Sequence, residues 1–322
     1  MLIAMGVIAA AVLLISWACY RRAFYAPPRR PPQEGIFTFP EGKIYEPYYD
    51  SMKKWTIETR AMPYEEFHIR SRDGLDLYAT LYEFAPGAPI ELMFHGYRGN
   101  AERDLSGGVQ RCFKLGRSCL LVDQRCAGKS GGSTITFGIR EHQDCVDWAK
   151  FAAKHFGPER KLILTGISMG AATVLMAAGK PLPSNVIGVL ADCSYSTPRD
   201  IIRQEIKKMG LPPALSYPFV RLGARLFGGF DPDAYSPLEA VKKATVPVIF
   251  FHGEADDFVP CSMSRALYQA CAGKAMLVTV PNAGHGLSYP AAPGAYLNAV
   301  REFFGPEGSY FDVNFLDGLA KL

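Results

Sequence analysis

A mainly parallel, eight-stranded α/β fold is what this sequence predicts, and three observations predict it. From about residue 62 onward, short apolar runs alternate with stretches of helical periodicity. Several of those runs end in glycine-bearing turns that carry histidine or acidic residues. One run, Lys161 to Thr165, passes through Gly166-Ile167-Ser168-Met169-Gly170 straight into Ala171 to Ala178, a stretch of strong helix formers with few polar side chains. Strands separated by helices give a parallel sheet covered on both faces.

The strand, G-x-S-x-G and helix in direct succession are the context a nucleophile elbow requires. The turn forces the serine into an unfavourable backbone conformation and brings strand and helix close together. Side chains two positions either side of Ser168 would collide, so Gly166 and Gly170 are what the geometry tolerates. Ser168 Oγ should then stand at the carboxyl edge of the sheet, at the positive end of a helix.

The remaining elements follow in order. Glu66 to Arg70 and Leu75 to Phe84 flank Asp73-Gly74 and read as a hairpin. Ile90 to Phe94 is a third strand, ending in His95-Gly96-Tyr97-Arg98-Gly99-Asn100, with a helix over Glu102 to Leu115. Ser118 to Val122 is the fourth, ending in Asp123-Gln124-Arg125, a segment expected to brace the site. Glu141 to Phe156 is helical, the fifth strand leads into the elbow, and Val186 to Ala191 ends in Asp192. Between Ser196 and Ala240 the alternation pauses. Prolines 198, 212, 213, 218, 232 and 237 cut this stretch into short helical pieces, read as a small cap over the site. Val246 to Phe251 ends in His252-Gly253-Glu254-Ala255-Asp256-Asp257. A helix over Met263 to Ala270 follows. Met276 to Val280 ends in Pro281-Asn282-Ala283-Gly284-His285-Gly286, and a helix near Tyr296 to Phe304 closes the domain.

Ahead of this domain, Leu2 to Tyr20 is nearly all apolar. At about 1.5 Å per residue it is just long enough for a hydrocarbon core of roughly 30 Å. No Lys or Arg precedes it, Trp17 and Tyr20 suit an interfacial belt, and Arg21, Arg22, Arg29 and Arg30 follow. The expectation is an uncleaved anchor over residues 1–20 with the folded part on the cytoplasmic side. A proline-rich linker and aromatic approach segment over residues 21–61 and a catalytic domain over residues 62–322, its cap at about 196–240, complete the division.

In 322 residues, 48% hydrophobic and 20% charged composition is ordinary for a globular enzyme. The net charge of +4 is small, and no basic stripe with interleaved aromatics marks a nucleic-acid binder. None of the eight cysteines forms a C-x-x-C or zinc spacing, so reduced thiols are expected. Cys126 and Cys193 fall in loops near the catalytic edge, where oxidant sensitivity is conceivable and buried, inert thiols are the plainer reading.

A serine hydroxyl needs a base, and the base needs a partner that fixes its tautomer. Of six histidines, His142 and His155 sit within a helix and are expected to be solvated. His68 lies in an early strand, and His95 and His252 close strands as turn formers. His285, in a glycine-rich loop after the eighth strand, is the base. For the acid, Asp256 ranks first, Asp257 second and Asp192 third. The backbone amides of Met169 and Tyr97 are the expected oxyanion donors.

The segments HGYRGN at His95, VDQRCAGKSGG at Val122, GISMGA at Gly166, HGEADDFVP at His252 and AGHG at Ala283 resemble, in order, the signatures of the α/β-hydrolase superfamily. The closer resemblance is to membrane-anchored bacterial members of the serine aminopeptidase S33 and BEM46 groups. It implies the α/β-hydrolase fold, Asp256 as the triad acid, and serine chemistry with no metal or organic cofactor. The expected substrate is a small-molecule ester or thioester with an apolar acyl group. A peptidase or amidase is the rival enzyme, and a non-catalytic binding protein of the same fold the rival of another class.

Overall fold

The computed structural model describes residues 2–27 and 36–310. Eight strands form one sheet: β1 (Glu65–Arg70), β2 (Asp76–Tyr82), β3 (Ile90–Phe94), β4 (Ser118–Asp123), β5 (Leu162–Ile167), β6 (Val186–Asp192), β7 (Val248–Gly253) and β8 (Ala275–Val280). Their spatial order is β1-β2-β4-β3-β5-β6-β7-β8. β2 pairs antiparallel with β1 and β4, and every later neighbour is parallel. The carboxyl ends of β3, β5, β6, β7 and β8 therefore share one edge. Register keeps them level there, with Phe94 beside Gly166 and Ile167 beside Asp192.

The helices are α1 (Leu2–Ala23), α2 (Tyr49–Arg60), α3 (Ala101–Lys114), α4 (Glu141–His155), α5 (Met169–Ala178), α6 (Pro198–Lys208), α7 (Pro213–Phe227), α8 (Pro237–Val241), α9 (Cys261–Ala270), α10 (Ser288–Ala291) and α11 (Pro293–Phe304). Strand residues alternate between two buried faces, as the pleat requires. Leu92 and Phe94 of β3 pack with Trp148 and Ala149 of α4 and Val174 of α5, while Met93 between them meets Leu105 and Val109 of α3. On β7, Phe250 joins the first face with Leu267 of α9, and Ile249 and Phe251 join Tyr296, Val300 and Phe303 of α11. Complete burial of each such side chain contributes about 1.5–3 kcal/mol before ordering costs. Asn100, Thr197 and Ser236 cap α3, α6 and α8 by accepting a backbone amide three residues on.

The chain before Met62 departs from a bare anchor and spacer. α1 is long and apolar enough to cross a membrane, but its last turns lie on the domain. Tyr20, Phe24 and Ala26 are buried in one cluster with Tyr217, Val220 and Ala224 of α7 and with Met169. Gly223 of α7 approaches α1 so closely that a Cβ there would lie 2.2 Å from the Ser16 carbonyl oxygen. Backbone bonds from Ala26 to Ser133 (2.9 Å) and from Ile135 to Phe24 (2.8 Å) continue the attachment. Further on, α2 packs on α3, with Trp55 against Gly107. Apolar and aromatic side chains in these stretches gain more from domain surface than from water. The expected Arg29, Arg30 and Pro31-Pro32 part of the linker lies outside the described residues.

Candidate active site

Ser168 has φ 57° and ψ −117°, a conformation costing about 1–3 kcal/mol that the surrounding packing must impose. A Cβ on Gly166 would sit 2.2 Å from the Gly170 carbonyl carbon, and one on Gly170 would sit 2.0 Å from the Phe94 oxygen. Both glycines are thus required by close backbone approach. The Ser168 amide donates to the Asp192 carbonyl at 2.8 Å, which ties the elbow to the end of β6.

His285 spans the gap between serine and acid. Its Nε2 lies 2.8 Å from Ser168 Oγ and its Nδ1 2.7 Å from Asp256 Oδ2. Asp256 Oδ1 accepts the amides of Phe258 (2.9 Å) and Val259 (2.8 Å). His252 Nε2 stands 3.2 Å from Asp256 Oδ2 and 2.8 Å from the Val259 carbonyl, while its Nδ1 is 2.7 Å from Ser264 Oγ. A carbonyl only accepts, so the His252 proton belongs on Nε2, and two histidines face one carboxylate oxygen. Burial alone would raise the Asp256 pKa. The bonds from His252 and His285 outweigh it and hold this carboxyl well below the usual range.

The other sequence candidates stand apart from this chain of bonds. Asp257 is exposed. Asp192 is buried, and its Oδ1 accepts from Ser288 Oγ at 2.7 Å; burial pushes its pKa up. His68 and His155 are exposed. His142 is buried rather than solvated, because its Nδ1 meets the Gly138 carbonyl at 2.8 Å across the turn before α4.

Met169 opens α5, so its amide is one that a helix start leaves without an internal acceptor. Among the described residues, no protein acceptor takes the Met169 or the Tyr97 amide. The Tyr97 loop is held from three sides. Asp104 Oδ2 accepts the Gly96 amide at 3.0 Å. His95 Nε2 accepts the Gln124 amide at 3.0 Å, and Gln124 Nε2 donates to the His95 carbonyl at 2.6 Å, so the Asp123-Gln124-Arg125 turn braces the loop. Tyr97 Oη donates to the Ala23 carbonyl at 2.8 Å, and Arg98 reaches the Arg22 and Tyr25 carbonyls at 2.9 Å each. The end of α1 thus grips the loop that carries one expected oxyanion donor.

Cys193 Sγ lies 4.0 Å from His285 Nε2. Its thiol is fully buried, which pushes its pKa well up, so Ser168 is both nearer and better placed. Cys126 is buried too, its thiol pushed up to about 12. Cys193, Asp256 and His285 offer ligand-type atoms within 4.8 Å of one another, although His285 Nδ1 and Asp256 already bond to each other.

A cavity of about 510 Å³ includes Ser168 and His285 in its wall. Met52, Trp55, Met93, Leu190 and Phe258 make much of it apolar, while Arg111, Asp192 and Tyr289 add polar groups. Tyr45 also lines it and donates from Oη to the His285 carbonyl at 2.9 Å. Sequence reasoning missed His252, Tyr45, Trp55 and Arg111. Only His252 carried a local signal, four residues before Asp256 at the end of a buried strand.

Comparison with known proteins places this geometry in a family. Residues 92–299 match the alpha/beta hydrolase family. The chain is 31% identical over 243 residues to the uncharacterized protein YqkD of Bacillus subtilis, covering 74% of this chain and 78% of that one. It is 25% identical over 217 residues to protein bem46 of Schizosaccharomyces pombe, covering 65% and 66%. An esterase of Pyrococcus furiosus has a similar fold, with a TM-score of 0.63 at 19% identity over 86% of this chain and 97% of that one. With the family match spanning more than half its length, this protein belongs to the alpha/beta hydrolase family.

Proposed function

We propose that this α/β hydrolase is a membrane-anchored serine hydrolase that cleaves an ester or thioester with a largely apolar acyl group. The observation that carries the reading is the unbroken chain Ser168 Oγ, His285, Asp256, at 2.8 and 2.7 Å. Ser168 attacks the carbonyl carbon and His285 Nε2 takes its proton. The C–O or C–S bond to the leaving group breaks as His285 returns the proton to that group. Water, deprotonated by the same imidazole, then releases the acyl group from Ser168. The Met169 and Tyr97 amides hold the negative oxygen, and the first turn of α5 adds a favourable field. Asp256, held ionised, orients His285 and stabilises its charged form. The apolar cavity wall supports an apolar acyl chain.

α1 is the anchor, and Arg21 and Arg22 behind it favour a cytoplasmic catalytic domain. Its packing on α7 and its grip on Tyr97 and Arg98 would hold the site at a set distance from the bilayer.

Fluorophosphonate labelling of the full-length protein in detergent tests the reading. Wild type should label and should hydrolyse p-nitrophenyl alkanoates. Ser168→Ala should lose labelling and at least about 10³-fold of kcat. Turnover of aminoacyl amides without ester turnover would replace the esterase by a peptidase. A folded wild type that does not label would contradict serine chemistry.

A further inference from the structure

α1 is too short to clear the folded domain before it crosses a bilayer. Residues 2–11 are exposed throughout, and these ten residues at about 1.5 Å rise each cover roughly 15 Å, half of a hydrocarbon core of roughly 30 Å. A span therefore has to include Val12 to Tyr20, where Ser16 and Tyr20 are buried against Gly223 of α7. Whatever packs on that part of α1 shares a leaflet with it, so α7 needs an outer face that lipid accepts.

α7 has such a face. At about 100° per residue, Leu215, Phe219, Leu222 and Leu226 fall on one stripe. Gly223 flanks the stripe on the α1 side, Arg221 and Arg225 flank it on the other, and Tyr217 and Ala224 behind it enter the buried cluster. Leu215 is 70% exposed, Leu226 53%, and Leu211 in the turn before α7 50%, so the stripe continues the exposed apolar surface of α1. The arginine flank borders a cavity of about 470 Å³ whose charged walls are Arg199, Arg203, Arg221, Arg225 and Asp233. Asp233 meets Arg199 at 2.7 Å and Arg221 at 3.0 Å, and Asp231 meets Arg221 and Arg225. Among the described residues Arg203 has no ion pair. Asp200, Glu205, Lys207 and Lys208 complete the charges of residues 196–235, six basic against four acidic, and Arg21 and Arg22 at the end of α1 add two more cations.

We propose that α7 is a second membrane contact: Leu211, Leu215, Phe219, Leu222 and Leu226 lie in the leaflet nearest the domain, beside α1, and the Arg199, Arg203, Arg221 and Arg225 flank holds phosphates of anionic lipid headgroups. The inference rests on the reading of α1 as an anchor and extends it to the helical cap. Arginine stems cover apolar surface while their heads reach phosphate oxygens, which a guanidinium binds through paired hydrogen bonds. A helix with one apolar face and one basic flank suits the boundary between acyl chains and headgroups. At the end of α6, Lys208 donates to the Phe258 carbonyl at 3.4 Å, and the Phe258 ring lies edge-on to His285 in the wall of the catalytic cavity, so this surface and the catalytic edge are neighbours.

Spin labelling of the full-length protein in nanodiscs of phosphatidylcholine and phosphatidylglycerol tests it. The background carries Cys19→Ser, Cys261→Ser and Cys271→Ser, which removes the three cysteines that are not fully buried. Nitroxides are placed at Ile8→Cys in α1, at Leu215→Cys in α7 and at Lys154→Cys, exposed in the last turn of α4. Oxygen, which concentrates in lipid, should relax the Ile8 and Leu215 labels more strongly than a water-soluble nickel chelate does, and the Lys154 label should show the reverse. A Leu215 label that behaves like the Lys154 label, with the Ile8 label in lipid, would overturn the inference and leave the anchor standing. An Ile8 label in water would overturn both. A Leu215 label shielded from both reagents and broadened by dipolar coupling would mark a second copy of the chain on this face and also overturn it. In the unlabelled protein, the motionally restricted fraction of spin-labelled phosphatidylglycerol should exceed that of phosphatidylcholine by about twofold or more, and Arg203→Gln with Arg225→Gln should reduce the excess. Equal fractions, or an excess that the paired substitution leaves unchanged, would overturn the headgroup assignment.

Discussion

Two buried arginine clusters brace this sheet, and their charges are counted differently. Arg125, after β4, meets two carboxylates. Asp144 of α4 takes its Nε and Nη2 at 2.7 and 2.8 Å, and Asp73 of the β1–β2 turn takes Nη1 and Nη2 at 2.9 and 3.2 Å. Under α3 the ratio is reversed: Arg111 and Arg117 share Glu91, and among the described residues each keeps one buried nitrogen without a partner. The first cluster is complete and joins hairpin, loop and helix. The second is short of an acceptor and borders the cavity that contains Ser168. A closed set of bonds ties three elements together, whereas the open one leaves buried donors without acceptors among the described residues.

Breaking each cluster should show the difference. Arg125→Met leaves Asp73 and Asp144 without their shared cation, and the cost should be the largest in the set, about 3–5 kcal/mol in urea unfolding. Arg111→Met leaves Glu91 paired with Arg117, so a smaller loss of about 1–3 kcal/mol is expected from the same measurement. Equal losses would mean that the two clusters do the same job.

Asp256 extends the comparison to the catalytic edge, where a buried carboxylate is met by four donors, the amides of Phe258 and Val259 and the rings of His252 and His285. Its pKa is depressed on folding, so the stabilisation it contributes is complete above its unfolded value of about 4 and is lost as pH falls below that. The urea midpoint of wild type relative to Asp256→Asn should therefore narrow between pH 6 and pH 3. A gap that widens on acidification would reverse the sign assigned here. Tyr289→Phe should change stability least and in the opposite direction, a gain of about 1 kcal/mol, because the buried hydroxyl it removes has no partner among the described residues. A loss above 1 kcal/mol would show that this hydroxyl already has an acceptor.

Much of the fold was legible because buried parallel strands are written as continuous apolar runs, and the eight strand ranges agree with the sheet to within a few residues. The candidate site was legible for a related reason. Ser168, Asp256 and His285 each follow such a run in a glycine-bearing turn, and parallel pairing brings those ends to one edge. What was not legible depends on partners distant in sequence. Glu91 is a lone charge inside a buried strand, which signals a buried cation without saying that two arginines, 20 and 26 residues on, share it. Trp55 reads as part of an aromatic approach segment until Gly107 provides the surface it covers. His142 looks solvated within a polar helix start until the Gly138 carbonyl is placed beside its ring. The end of α1 reads as the edge of an anchor, because nothing local shows that Ser133, Ile135 and Tyr97 hold it.

The central claim is that Ser168 carries the acyl group, although Cys193 lies 4.0 Å from the same imidazole. Rapid quench of the full-length protein with a p-nitrophenyl alkanoate, followed by intact and peptide mass spectrometry, tests it directly. We expect an acyl adduct on the peptide containing Ser168, unchanged in Cys193→Ala and absent in Ser168→Ala. An adduct on Cys193, or ester turnover that survives in Ser168→Ala, would contradict the account.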